Sequence, residues 1–511
     1  MDSPEGPLPP EVEPILHSPP PINRRALVTQ GLIWTGMLQV FLAGANFASM
    51  LVLVRLLSPA EFGRATAATG ILAVINCFNC SYFVAQALQL HEGQEPDWAA
   101  HWSAGFYIQF ALFVVCNVIA SVCWILPAYH PMAGLLHVAS IGLLIDCPNQ
   151  ISLTSLRREL NYPTLRLVQA VCTVVTVVSS ISLALWGAGA FALIVGSNVL
   201  HGVPQGLYLL IVRKWRPPLH WWRWPKWRDY QQPLRFGAQL SGSAMLTAAR
   251  GLFESGVLPA TVGYQAVGLL NRAQVLFSTT VGRAAALLVE TVYPLLPRSA
   301  GNREQFSQHA TLFVQTMLLV TVPGAIFVGM EGPQLSRLLY GAKWIAADPL
   351  ILPGTLFAWA VSTVLVFATV LQAQNKLRLA FLSGVVAAAL CLPAILSVIA
   401  AANIYTYAWV GAAGQVIAAI VVIWLGSPSL ETNWFRKTML PPLVSGMAGF
   451  AILLMSGQWA QSLRPSVQLT VGAVLFATTL LFMMRFLFRE ELWAVIVHLP
   501  ASHVMTVLLH L

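Results

Sequence analysis

The sequence predicts an all-α, polytopic membrane protein. Hydrophobic residues make up 57% of the 511-residue chain, and charged residues only 9%. Between residues 31 and 488 the apolar residues form a series of runs, each long enough to cross the hydrocarbon core, which takes about 20 helical residues. Because backbone groups in lipid must be hydrogen-bonded within the protein, we expect these runs to form bundled helices.

The runs predict about fourteen transmembrane helices, arranged as two six-helix lobes and two C-terminal helices. The predicted spans are 29–54, 64–89, 101–127, 132–153, 165–186, 188–212, 235–258, 272–297, 310–330, 349–373, 378–400, 405–425, 439–458 and 467–488. A weak internal repeat supports the two lobes, since Asn161 follows the fourth helix and Asn375 follows the tenth. Transporters are often built from such repeats, with the substrate site between them.

The segments outside the helices complete the predicted domain organisation. In chain order we expect a disordered, Pro-rich cytoplasmic tail (1–28), an N-lobe (29–212), a cytoplasmic linker rich in Trp and Arg (213–234), a C-lobe (235–425), the last two spans (426–488) and an interfacial C-terminal tail (489–511). The linker is predicted to anchor at the lipid headgroups through its tryptophans, which are Trp215, Trp221, Trp222, Trp224 and Trp227.

The distribution of basic residues predicts the orientation. Lys and Arg concentrate in one alternate set of loops and beside both termini, which places both termini in the cytoplasm. This bias explains the net charge of +9 without a nucleic-acid partner. All seven cysteines fall in or beside apolar runs, which favours small buried side chains over a metal site. No nucleotide-binding glycine loop or hydrolase motif is present, so we expect no cofactor and no enzymatic activity.

Charged residues inside predicted spans are the candidate functional residues, because charges in a membrane interior are costly and usually functional. Arg250 and Glu254 lie four residues apart and share a face of the seventh helix. On the eighth helix Arg272, Arg283 and Glu290 are spaced by eleven and seven residues, which is about five whole turns of a regular helix. We therefore predict one charged stripe along that helix.

This stripe has two interpretations. The functional one is a positively charged cavity between the lobes, in which Arg283 and the other arginines hold an anionic group, since Arg suits phosphate. Glu254, Glu290 and Asp146 would then serve ion coupling or gating. In the alternative, the same residues form structural ion pairs, and Asp146 only caps the end of the fourth helix.

Several sequence segments resemble those of a known family. They are Arg55–Gly63 after the first helix, Leu156–Tyr162 after the fourth, Gly268–Ala273 in the eighth and Tyr293–Arg298 at its end. In order and spacing these segments resemble the Wzx-type lipid-linked oligosaccharide flippases. Their superfamily, the multidrug/oligosaccharidyl-lipid/polysaccharide exporters, also holds multidrug and toxin extrusion transporters and the lipid II flippase.

The resemblance implies a V-shaped pair of lobes with alternating access, in the bacterial inner membrane. The cargo would be an undecaprenyl-pyrophosphate-linked oligosaccharide for O-antigen, capsule or exopolysaccharide, and the cationic residues Arg250, Arg283 and Arg272 would contact it. A monomer surrounded by membrane lipids is expected, with a polysaccharide polymerase and a chain-length regulator as further partners. Two alternatives stay open: an ion-coupled multidrug exporter of the same fold, and a polytopic glycosyltransferase or polymerase that uses Glu61.

Overall fold

The fold is helical throughout its described part. The computed structural model describes residues 24–88, 95–159, 161–215, 217–222, 224, 231, 235, 245, 248, 250–285, 295–299, 301–459 and 465–496. Within these ranges every regular element is a helix. Eleven helices there are long and apolar enough to cross a membrane, and the spans that complete the predicted set are short or only partly described. The predicted fold class, an all-α polytopic membrane protein, is confirmed.

The helices follow the predicted order. Their bounds are α1 (Arg24–Leu56), α2 (Pro59–Ile75), α3 (Trp98–Ile125), α4 (His130–Arg158), α5 (Tyr162–Leu185), α6 (Phe191–Val212), α7 (250–261), α8 (Gly263–Phe277), α9 (Arg303–Tyr340), α10 (Asp348–Ala373), α11 (Leu377–Ala401), α12 (Ile404–Gly426), α13 (Leu440–Trp459), α14 (Pro465–Leu487) and α15 (Arg489–Ile496). A π-helical turn, Ser278–Gly282, continues α8, and another, Phe435–Met439, leads into α13.

Several helix ends differ from the prediction. Helix α1 begins at Arg24, so the predicted tail of 1–28 is shorter, and its residues 1–23 lie outside the described part. Helix α2 begins five residues early because Ser58 and Glu61 form a capping box. Helix α9 continues to Tyr340 through Pro333 instead of ending at residue 330. Of the predicted C-terminal tail, Arg489–Ile496 is helical and 497–511 are not described.

The packing of the first six helices recurs in the next six. Helix α4 packs on α2, α3 and α6, and helix α10 packs on α8, α9 and α12 in the same way. We call α1–α6 the first half and α7–α12 the second half. Helices α13 and α14 pack on each other and on α9. Outward faces carry exposed apolar side chains such as Val118, Leu167 and Leu365, which suits contact with lipid. The exact domain boundaries stay a prediction.

The start of the linker packs on the first half through an aromatic cluster. The Trp215 ring lies 5.7 Å from that of Trp102, and the Trp222 ring lies 4.7 Å from that of Phe106. Trp221 packs in turn on Trp215 at 5.3 Å. Trp215 and Trp221 are thus half-buried against the protein, and the anchoring of the linker at the lipid headgroups stays a prediction.

Trp224 differs from its neighbours in the linker. Its side chain is 76% exposed, although its ring lies 4.7 Å from that of Tyr107. Trp224 thus remains compatible with the predicted interfacial position, while Trp227 lies outside the described residues.

Candidate functional site

The two halves meet closely where α2 crosses α8. A Cβ atom on Gly63 would lie 1.7 Å from the carbonyl oxygen of Tyr264, and one on Gly268 would lie 1.9 Å from that of Pro59. Neither distance leaves room for a methyl group, so only glycine permits this crossing. Small residues that let helix backbones touch are typical of contacts between transmembrane helices. We call this crossing the glycine seam.

Side chains near the α1–α2 turn extend the contact between the halves. The indole of Trp344, fully buried, donates a hydrogen bond to the carbonyl of Val54 at 3.0 Å, and its ring lies 5.5 Å from that of Phe62. Arg55 donates to the carbonyl of Leu338 at 2.8 Å. The halves are therefore closed against each other at the end of the molecule where α2 begins.

A polar cavity of about 200 Å³ lies beside the glycine seam, between α2, α7 and α8. The side chains and backbone that line it are Thr66, Thr69, Gly70, Gly251, Glu254, Ser255, Leu258, Val267, Leu270, Asn271 and Gln274. Both halves contribute to its wall. A cavity between two transporter repeats, lined by hydroxyl, amide and carboxylate groups, is where a substrate site is expected.

The π-helical turn after α8 decides where Arg283 points. A π turn inserts one residue, which rotates everything beyond it by about 100° relative to a regular helix. Arg283 directly follows this turn. Counted with the insertion, Arg283 falls within roughly 20° of Asn271, on the side of α8 that lines the cavity. It lies roughly 18 Å farther along the helix, at about 1.5 Å per residue, and is not one of the described residues that line the cavity. Counted as a regular helix, it would lie about 120° from Asn271, on the side of Arg272. The side chain of Arg283 is exposed.

The predicted stripe through Arg272, Arg283 and Glu290 is therefore wrong between its first two members. Arg272 turns away from the cavity, because its guanidinium lies 4.7 Å from the centre of the Phe62 ring and donates to Asn271 Oδ1 at 2.6 Å. This contact joins α8 to α2 beside the glycine seam. Glu290 lies outside the described residues.

Arg250 and Glu254 form the predicted pair. Arg250 Nε lies 3.6 Å from Glu254 Oε1, and its guanidinium lies 4.4 Å from the centre of the Phe357 ring on α10. The Tyr407 hydroxyl on α12 donates to Glu254 Oε1 at 2.8 Å. Among the described residues that line the cavity Glu254 is present and Arg250 is not. Arg250 thus fixes α7 within the second half and holds Glu254 at the cavity wall.

Asp146 lies in the interior of the first half, apart from the cavity. The prediction that it ends the fourth helix is wrong, because α4 continues through Pro148 to Arg158. Its carboxylate accepts a hydrogen bond from Asn79 Nδ2 at 2.7 Å. Asn79 itself stands in an extended conformation where α2 gives way to a short helix, Cys80–Val84. A half-buried carboxylate facing a broken helix resembles the ion sites of transporters with discontinuous helices.

The family of the protein follows from comparison with known sequences. The profile of the family described as "Polysaccharide biosynthesis protein" matches residues 52–349, more than half of the chain. The chain belongs to this family. The match covers the α2–α8 contact, the cavity and all the described candidate residues, and it confirms the family to which the sequence segments point. A search of curated proteins finds no match.

Solved structures show that this polysaccharide biosynthesis protein shares the exporter fold. The lipid II flippase MurJ, in an inward closed conformation, superposes with a TM-score of 0.71 at 11% identity, over 90% of this chain and 100% of that chain. An inward-facing multidrug resistance MATE transporter of the MOP superfamily superposes with a TM-score of 0.54 at 14% identity, over 77% of this chain and 97% of that chain. At these identities the likeness is one of fold.

Sequence reasoning missed several residues that build the site of this family member. Phe62, Phe357 and Tyr407 hold the three charged candidates, yet each comes from a helix distant in sequence from its partner. Thr66 and Gln274 line the cavity as neutral polar residues, which a search for charges passes over. Both lie close in sequence to Gly70 or Asn271, where small or polar residues interrupt an apolar run. This interruption was the signal in the sequence that could have found them.

A second, larger recess lies at the far end of the second half. Its volume is about 1090 Å³, and it is lined by the start of α9, the α10–α11 turn and the segment before α13. Lys376 donates there to Ser429 at 3.3 Å, and Lys437 pairs with Glu431. The corresponding end of the first half carries the aromatic cluster of the linker at the start of α3. The two halves thus differ in chemistry at this end.

Proposed function

We propose that this protein is a flippase, not an enzyme, which moves undecaprenyl-pyrophosphate-linked oligosaccharide units across the bacterial inner membrane for surface polysaccharide synthesis. Membership of the polysaccharide biosynthesis family supports this function, and the fold shared with a lipid II flippase supports the transport of a lipid-linked cargo. The lipid tail would stay in the bilayer while the polar head passes between the halves.

One observation carries the proposal: the π turn brings the exposed Arg283 to the side of α8 that lines the polar cavity between the halves, farther along the helix from Asn271. A pyrophosphate needs a cation that can form two parallel hydrogen bonds, which guanidinium provides. We therefore assign the pyrophosphate contact to Arg283. Arg250 and Arg272, which we first expected beside it, would act as positioning residues, because Phe357 and Phe62 hold their side chains.

The described conformation fits one step of an alternating-access cycle. The distribution of basic residues favours a cytoplasmic position for both termini, and in that orientation the glycine seam would close the periplasmic side. Loading of cargo would then occur from the cytoplasm. Coupling to an ion gradient would use Glu254 at the cavity wall or Asp146 beside the break in α2. The protein would work as a monomer, next to a polymerase and a chain-length regulator.

The test is transport by Arg283→Ala. In proteoliposomes that contain an undecaprenyl-pyrophosphate-linked oligosaccharide, we expect this variant to lose at least tenfold of its flipping rate, since a charged hydrogen bond contributes about 1.5–3 kcal/mol. Arg283→Lys should retain part of the rate. Arg378→Ala, which removes an exposed arginine on α11, is the matched control. An unchanged flipping rate in Arg283→Ala, at an equal amount of protein, would show that Arg283 does not make the assigned pyrophosphate contact.

An ion-coupled multidrug exporter is the second candidate. Glu254 at the cavity wall favours it, because a carboxylate suits a cationic drug. Efflux of a cationic dye that depends on Glu254, together with no movement of the lipid-linked oligosaccharide, would favour this function over the flippase.

A further inference from the structure

A buried carboxyl group in the second half takes no part in the cavity. Glu331 lies on α9 and is only 8% exposed. Its Oε2 atom has no hydrogen-bond partner among the described residues. Counted at 1.5 Å per residue from the end of α9 at Tyr340, the side chain lies roughly 13 Å inside the helix end.

Glu331 faces the two C-terminal helices. Gly472 on α14 leaves space for it, since a Cβ there would lie 3.9 Å from the Glu331 carboxyl carbon and 3.4 Å from Leu453 on α13. One turn away along α9, the Phe327 ring packs on that of Phe476 at 5.4 Å. The carboxyl group therefore lies at the junction of α9, α13 and α14.

Among the described residues no salt bridge reaches this carboxylate. Gly472 on α14 and Leu453 on α13 lie beside it and do not titrate, and α10 packs on the neighbouring face of α9 through Ile351. The basic group next along α9, Arg337, already contacts Asp348 at 2.9 Å. An ionised carboxylate buried without a partner costs several kcal/mol, so the packed junction requires the neutral acid.

A polar neighbour leads from Glu331 towards the nearer helix end. Gln334 lies three residues along α9, on the same side of the helix, and its Oε1 atom is buried without a partner in the described part. Arg337 and Asp348 follow at the helix end, where their side chains reach the surface or lie close to it. Polar groups on consecutive turns that still have free hydrogen-bonding positions can pass a proton to a buried acid.

We propose that Glu331 is a proton-binding site whose occupancy is linked to the packing of α13 and α14 on α9. When the helix pair is packed, the carboxyl group holds a proton. When the proton leaves through the Gln334 side, the resulting carboxylate needs water, and the helix pair separates from α9. This proposal concerns the C-terminal helices alone and does not depend on the identity of the cargo.

The experiment uses the full-length protein in lipid nanodiscs, without substrate. A cysteine introduced at Leu469, a buried position on α14, reports loosening of the helix pair through its rate of reaction with a maleimide. The pH is raised from about 5 to about 9, where carboxyl groups with perturbed surroundings titrate. Infrared difference spectra over the same range follow the band of a protonated carboxyl group.

We expect the labelling rate, corrected for the pH dependence of the thiol, to rise up to tenfold per pH unit above the midpoint. Glu331→Gln mimics the neutral acid, so its labelling should stay low at every pH and the infrared band should disappear. Glu304→Gln, which changes an exposed carboxyl on the first turn of α9, should behave like the parent protein. A flat labelling profile in the parent, or a carboxyl band that persists in Glu331→Gln, would overturn the proposal.

Discussion

The glycine seam makes a quantitative prediction for Gly268→Ala. The added methyl carbon would stand 1.9 Å from the carbonyl oxygen of Pro59, and a close ordinary contact requires 3.4 Å. Helices α2 and α8 must therefore separate by about 1.5 Å (3.4 − 1.9) at this point. Neither atom belongs to a flexible side chain, so the backbones themselves have to move.

The expected cost of that separation is about 1–3 kcal/mol, the usual range for overpacking a tight contact. This cost destabilises only the conformation in which the halves are closed at the seam, because an open conformation would not bring α2 and α8 together. Gly268→Ala should therefore shift the protein towards the open conformation by roughly fivefold or more, since about 1.4 kcal/mol corresponds to a factor of ten.

The assay measures access to the cavity from the seam side. A cysteine introduced at Thr66, on the cavity wall, is labelled with a membrane-impermeant maleimide, while the seven native cysteines are all buried. We expect faster labelling in Gly268→Ala than in the parent protein, together with a lower thermal unfolding temperature.

Gly256→Ala is the matched control for this experiment. Gly256 also lies inside a helix of the second half, but no atom lies within 4 Å of the position its Cβ would take. This change should leave the labelling rate unaltered and raise stability by roughly 0.5–1 kcal/mol, as glycine is costly within helices. If Gly268→Ala matches Gly256→Ala in both measurements, the seam is not a tight backbone contact and the reasoning fails.

Two further predictions concern the contacts that hold the site. Tyr407→Phe removes the hydrogen bond to Glu254 at 2.8 Å and should lower the free energy of unfolding by about 1.5–3 kcal/mol, measured by thermal unfolding. Tyr405→Phe, at an exposed position, should lower it little. Equal shifts in the two variants would argue against this bond. Trp215→Ala removes ring contacts with Trp102 and Trp221 worth about 0.5–1.5 kcal/mol each and should speed limited proteolysis of the linker. Trp224→Ala removes only the single ring contact of an exposed side chain, with Tyr107, and should speed the digestion less; identical digestion rates would contradict the cluster.

The order and number of helices could be predicted because lipid imposes a simple rule on sequence. Every span must be apolar and about 20 residues long, and charged residues collect at its ends. The rule failed at α9, where Glu331, Gly332 and Pro333 look like the end of a helix. The helix continues there because proline is tolerated inside packed transmembrane helices. That error also hid Glu331, which fell one residue beyond the predicted span.

The candidate site could be predicted only where it depends on local spacing. Arg250 and Glu254 pair as their separation of four residues requires, because α7 is regular between them. The stripe on α8 failed because regular geometry was assumed across residues 278–282, and neither Ser278 nor Gly282 signals a π turn by its identity. Aromatic partners such as Phe62 depend on how distant helices pack, which local patterns do not specify.

The π turn after α8 has a consequence for how such a site can change over generations. The wide turn accommodates one residue more than a regular helix would over the same length. Loss of a single codon within Ser278–Gly282 would give a regular helix and leave the guanidinium on the same side, because it would then follow Asn271 by eleven regular residues, within roughly 20° of whole turns. The turn can thus take up the gain or loss of one residue while the helix surfaces on both sides of it stay in register.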